Sequence, residues 1–179
     1  MRRLFYLVSS IESAKEISDD LHREGVSDWR FHIISRDEAG LYTHKLQSAG
    51  VADRTDLVRY VQRGALVGLV LGLAFVLPLA IFGFLGLPAA AWIALVVFLA
   101  VAGGWLGGFG GIQGENYRIA PFHDDIKAGK HLVMVDVPKE HIPKVKELMK
   151  KHHPEAELEG QDSAFNNPFA SKRNRPRSA

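Results

Sequence analysis

Cysteine is absent from the 179-residue chain, which removes disulfides, thiolate catalysis, iron–sulfur clusters and Cys-ligated zinc together and fits a reducing compartment. Charge of either sign is missing over a long central stretch: Arg63 is the last charged residue before Glu115, and positions 64 to 114 hold no Asp, Glu, Lys, Arg or His. The same stretch has no Ser, Thr or Asn, and Gln113 is its only amide side chain. A formal net charge of +2 leaves no global field for nucleic acid, so no nucleic-acid partner is expected. The start, Met1-Arg2-Arg3 followed by strand-like Leu4 to Val8, lacks the apolar core of a signal peptide, so the N-terminal segment is expected to be retained.

A bilayer core of about 30 Å takes about 20 apolar residues per helix. The uncharged run therefore predicts two membrane spans, 64–82 and 89–109, joined by a turn at 83–88, as a hairpin unit over 64–110. The turn is uncharged, whereas Arg54, Arg59, Arg63 and Arg118 flank the hairpin with Lys127 and Lys130 beyond, and this bias puts both flanks in the cytoplasm. Those four arginines are read as basic groups facing the lipid surface. Transport needs ionisable or hydroxyl-bearing side chains or exposed carbonyls along a path, and the spans offer no such side chain.

What the spans have is glycine at four-residue spacing: Gly64, Gly68 and Gly72 in the first, Gly103, Gly107 and Gly111 in the second. Residues i and i+4 share a helix face, and a glycine stripe lets a second backbone approach closely. With one stripe used inside the hairpin and the other left free, a homo-oligomer is expected. Pro78 removes a helical hydrogen bond from the first span.

Outside the hairpin, Leu4 to Val8 reads as a strand, Ser9-Ser10-Ile11-Glu12 as a capping box opening a helix, and Trp29 to Ile34 as a second strand. A juxtamembrane helix is expected over 51–63 and a connector over 111–130, with a turn of helix at 122–128. Residues 131–135 read as a strand, Pro138 opens a helix, and a short strand follows around 156–158. Two βαβ halves, 1–50 and 131–160, each too small to fold alone, predict an α+β, ferredoxin-like split βαβ cytoplasmic domain interrupted by the hairpin. From 161 to 179 a disordered basic tail is expected, whose Lys172, Arg173, Arg175 and Arg177 would contact anionic lipid at about 1 kcal/mol per charge.

Candidate chemistry is sparse. His152-His153 with His131, His141 or Asp124-Asp125 is the best metal cluster, but adjacent histidines diverge on a helix and better fit the helix C-terminus. Asp136 reads as a solvated residue or a cap. No nucleophile–base pair, phosphate loop or H-E-x-x-H spacing occurs, so neither enzyme activity, metal nor cofactor is expected.

The strand–helix start, the Arg63-Gly64-Ala65-Leu66-Val67-Gly68 segment, the glycine-rich second span and Val133-Met134-Val135-Asp136-Val137-Pro138-Lys139-Glu140 resemble a bacterial inner-membrane family related to general-stress and low-temperature-induced proteins. Some members carry a magnesium-transporter label. The resemblance covers about residues 1 to 160 and implies an inner-membrane protein of stress physiology. It supplies no site residues. The expected function is an oligomeric, membrane-anchored binding or scaffold module; the alternative is a small ion or magnesium transport component.

Overall fold

The computed structural model describes residues 1–83, 85–163 and 168–169. The chain divides into two compact units. The first, from residues 1–50 and 118–163, is mixed helix and sheet; the second, from 51–117 with 168–169, is a helical hairpin with its flanking segments.

In the first unit four strands, β1 (Arg2–Val8), β2 (Phe31–Ile34), β3 (His131–Val137) and β4 (Glu157–Ser163), form one sheet in the order β2-β3-β1-β4. Every neighbouring pair is antiparallel. Side chains alternate across a strand, so Leu4, Tyr6 and Val8 of β1 join Val133 and Val135 of β3 on one face. That face is covered by Ala14, Ile17 and Leu21 of helix α1 (Ile11–Arg23) and by Val145 and Met149 of helix α7 (Ile142–His152). Phe5 and Leu7 turn to the other face with Leu132 and Met134, where Ile119, Phe122 and Ile126 cover them. Burial on both faces explains why β1 and β3 read as unbroken apolar runs. Phe122 belongs to a 3-10 turn leading into helix α6 (His123–Lys127), and its ring stacks on Phe5 at 5.8 Å.

Several expectations need correction. The N-cap of α1 is Ser10, whose hydroxyl accepts the Ser13 N–H at 3.1 Å, so no Ser9–Glu12 capping box forms. Residues 28–30 make a 3-10 turn and β2 starts only at Phe31. The last strand runs to Ser163, so residues 161–163, read as the beginning of a disordered tail, are paired: Gln161 lies opposite Leu4 and Ser163 opposite Arg2. Its polar sequence hid this extension beyond Leu158, because an edge strand gets its order from main-chain pairing with β1. The register shift between Phe5 and Tyr6 is a bulge, a common device on edge strands. At the opposite edge, the Ile33 N–H donates to the Gln47 carbonyl and the Ala49 N–H to the Ile33 carbonyl, at 3.0 and 2.8 Å, which covers β2.

After helix α2 (Glu38–Thr43), the stretch 51–63, expected as one juxtamembrane helix, falls in two pieces: α3 (Val51–Arg54) and the start of α4 (Leu57–Ile81). The break comes where Thr55 bridges to Glu115 and the Asp56 N–H donates to the Gly114 carbonyl. Helix α4 runs through Pro78, and helix α5 spans Ala89–Ile112.

Candidate functional site

Helices α4 and α5 have 25 and 24 residues and are long and apolar enough to cross a membrane. Their outward side chains are bare: Phe75, Ile93, Phe98, Val101, Trp105 and Leu106 are all about two-thirds exposed. The buried positions near the seam include glycines, Gly68 and Gly72 on α4, Gly104, Gly108 and Gly111 on α5.

The seam leaves almost no space for a side chain. A Cβ added at Gly64 would fall on the Gly103 carbonyl oxygen, one at Gly68 on that of Leu99, and one at Gly107 on that of Tyr60. At Gly111 a Cβ would lie 2.8 Å from the Leu57 Cα. Gly72 is looser, with its nearest neighbour, the Val96 Cα, at 3.4 Å. Such approach lets dispersion and Cα–H···O contacts act between the backbones. All six glycines singled out from the sequence lie along this one seam, so the two stripes are used on each other. Neither of these two stripes is left free by the packing within the hairpin.

At the open end of the hairpin the flanking segments are tied by polar groups. The Asp56 carboxylate accepts the Tyr117 N–H at 3.2 Å and lies 3.5 Å from the Arg59 guanidinium. That guanidinium sits 4.8 Å from the centroid of the Tyr117 ring, a cation–π geometry. Asn116 donates from its side-chain amide to the Asp53 carbonyl at 2.8 Å and from its N–H to the Arg54 carbonyl at 2.9 Å. Arg59, expected at the lipid surface, is therefore buried in a side-chain cluster. Arg63 donates to the Pro168 carbonyl at 2.5 Å, and Arg54 is half-buried. Arg118 is buried in the first unit, with Asp162 at 3.5 Å. In both buried cases an acidic partner distant in sequence from the apolar run, or hidden beside it, claims the charge. Lys172, Arg173, Arg175 and Arg177 lie outside the described residues.

The first unit holds polar pairings that sequence reading missed. Arg3 and Asp136 stand directly opposite in the β1–β3 register, and the guanidinium grips the carboxylate with two bonds, 2.8 and 2.7 Å. Asp136 is therefore buried and paired, not solvated; the arginine lies far away in sequence, so only the register reveals it. His152 and His153 do not merely complement a helix end: His152 Nδ1 and His153 Nε2 both contact Asp20 Oδ2, at 3.0 and 3.1 Å. Hydrogen bonding from His152, helped by Arg23 and His153, outweighs partial burial and lowers the Asp20 pKa. The Ser13 hydroxyl, 2.6 Å from Glu155, lowers that carboxyl likewise.

His131 Nδ1 lies 2.8 Å from the Ser35 hydroxyl, a Ser–His pair that no local spacing announced. Burial lowers the His131 pKa, and the same hydroxyl accepts the Asp37 N–H at 2.9 Å. Both side chains are buried, and the serine is engaged in closing the turn after β2. Among the described residues no three His, Asp or Glu side chains are placed to hold a metal ion.

The molecule thus combines a mixed helix–sheet unit with a glycine-seamed apolar hairpin. Comparison with protein-family models, with curated proteins and with solved structures gives no match.

Proposed function

We propose that the chain is a membrane-anchored binding or scaffold module, held in a bacterial inner membrane by the α4–α5 hairpin. The carrying observation is the hairpin's inverted surface, large apolar side chains outward and glycine inward, which water penalises and lipid does not. At 1.5 Å per residue the helices reach about 36 to 38 Å, enough for a core of about 30 Å with some tilt.

In this reading the strand order and the two helices on one face make the first unit a ferredoxin-like domain, and the hairpin is an insertion between its halves. β1 and β2 precede the hairpin and β3 and β4 follow it, so a single sheet needs both flanks on one side of the bilayer. The arginines before the uncharged run and the uncharged turn favour the cytoplasm for that side. The basic C-terminal residues add attraction to an anionic leaflet. The resemblance to the stress-related inner-membrane family supports a role in stress physiology.

Alkaline carbonate extraction tests the anchoring: the chain should stay with the membrane pellet and leave it only with detergent. Release by carbonate alone would end the proposal.

A further inference from the structure

The first unit contains a crevice of about 120 Å³ between the end of α1, the end of β3 and the start of α7, lined among others by Leu21, Val26, Arg30, His141, Lys144 and Leu148. An apolar cavity of about 150 Å³ holds benzene, so this smaller space suits only a compact group. Its acidic residues already have partners. Asp136 is held by Arg3, and Glu24 lies 2.5 Å from Lys144.

Arg30 is different. Its guanidinium carbon stacks 4.5 Å from the centroid of the Trp29 ring, it has no acidic partner among the described residues, and its Nε is buried with no hydrogen-bond partner. Arginine stays charged and only donates, and a buried donor on a charged group is costly to leave unmade. With no acidic partner, the Arg30 guanidinium at the crevice wall favours a group that accepts hydrogen bonds, and a negative charge suits it best because the planar fork matches two oxygens of a carboxylate or phosphate. His141, exposed, lies on the same wall, Lys144 is engaged with Glu24, and Leu21, Val26 and Leu148 provide apolar wall.

We propose that this crevice binds a small oxyanion, a carboxylate or phosphate group on a compact body, with Arg30 as its principal donor. The inference rests on the binding-module reading and gives that module its ligand class.

The test is equilibrium dialysis of the full chain in detergent micelles against radiolabelled inorganic phosphate and, in parallel, acetate. Saturable binding of at least one anion is expected, weakened by about tenfold or more in Arg30→Gln, which removes the fork, and again in Leu148→Trp, which fills the space without touching the charge. Circular dichroism confirms that each variant is folded. No saturation by either anion, or folded Arg30→Gln binding as tightly as the parent, overturns the site. Repeating the phosphate titration in nanodiscs separates the sources: competition when phosphatidylglycerol replaces phosphatidylcholine marks a lipid headgroup, and unchanged binding marks a soluble anion, either result upholding the oxyanion site. A chain that resists carbonate extraction yet binds neither anion loses this inference and keeps its membrane anchor.

Discussion

Tyr6 carries a hydroxyl buried in the first unit's core with no hydrogen-bond partner, and burial raises its pKa to about 12. An acid whose folded pKa is raised contributes stability that is complete below its unfolded pKa, near 10, and declines as pH rises from there toward 12. Tyr6→Phe should therefore leave stability at pH 8 unchanged or raise it by about 1 kcal/mol. It should also flatten the fall between pH 10 and 12, as read from urea midpoints. Asp20 and Glu155 run the other way: with pKa values lowered by His152 and Ser13, their contribution is complete above the usual carboxyl range and is lost as pH falls below it through the lowered folded values. Asp20→Asn should reduce stability at pH 7, with the difference from the parent shrinking as pH falls below the ordinary carboxyl range. Replacing Asp136 with Ala removes a bidentate partner from a buried guanidinium and should cost about 3 to 5 kcal/mol; a loss under 1 kcal/mol would show that the strand pair does not depend on it.

The seam between α4 and α5 grades its own glycines. A methyl at Gly72 meets ordinary contact distances, whereas one at Gly64 or Gly107 collides with a carbonyl of the facing helix. Gly72→Ala should behave like the parent, and Gly64→Ala and Gly107→Ala should each destabilise the hairpin by about 1 to 3 kcal/mol, seen as lower melting temperatures in detergent. Equal behaviour of the three variants would contradict the seam. The four-residue spacing of these glycines was legible, because close helix approach leaves few other residues possible. Their mutual engagement was not, since periodicity marks a face and says nothing of what it meets. The uncharged run likewise announced both long helices, though α5 continues to Ile112 and α4 begins at Leu57. The continuation of β4 beyond Leu158 to Ser163 escaped because its pairing is main-chain, and Arg3–Asp136, Asp20–His152–His153 and Ser35–His131 escaped because each joins residues distant in sequence.

At the scale of the whole molecule, the proposal is a sheet whose strands come from both sides of a membrane insertion. A transport component would need a lined path, and the only side chains between positions 64 and 114 that can hydrogen-bond are Gln113 and the indoles of Trp92 and Trp105. Liposomes holding the purified chain should accordingly show no saturable magnesium flux above protein-free vesicles; such a flux would favour the transport reading. The central claim, a two-span hairpin with both flanks on one side, is tested most directly by accessibility in intact cells. The chain has no cysteine, so single cysteines can be placed at exposed Glu16 before the hairpin, Leu85 in its turn and Glu147 after it. A membrane-impermeant maleimide should label Leu85→Cys in intact spheroplasts and reach Glu16→Cys and Glu147→Cys only after permeabilisation. Labelling of all three together, or of Glu16→Cys and Glu147→Cys from opposite sides, would contradict it.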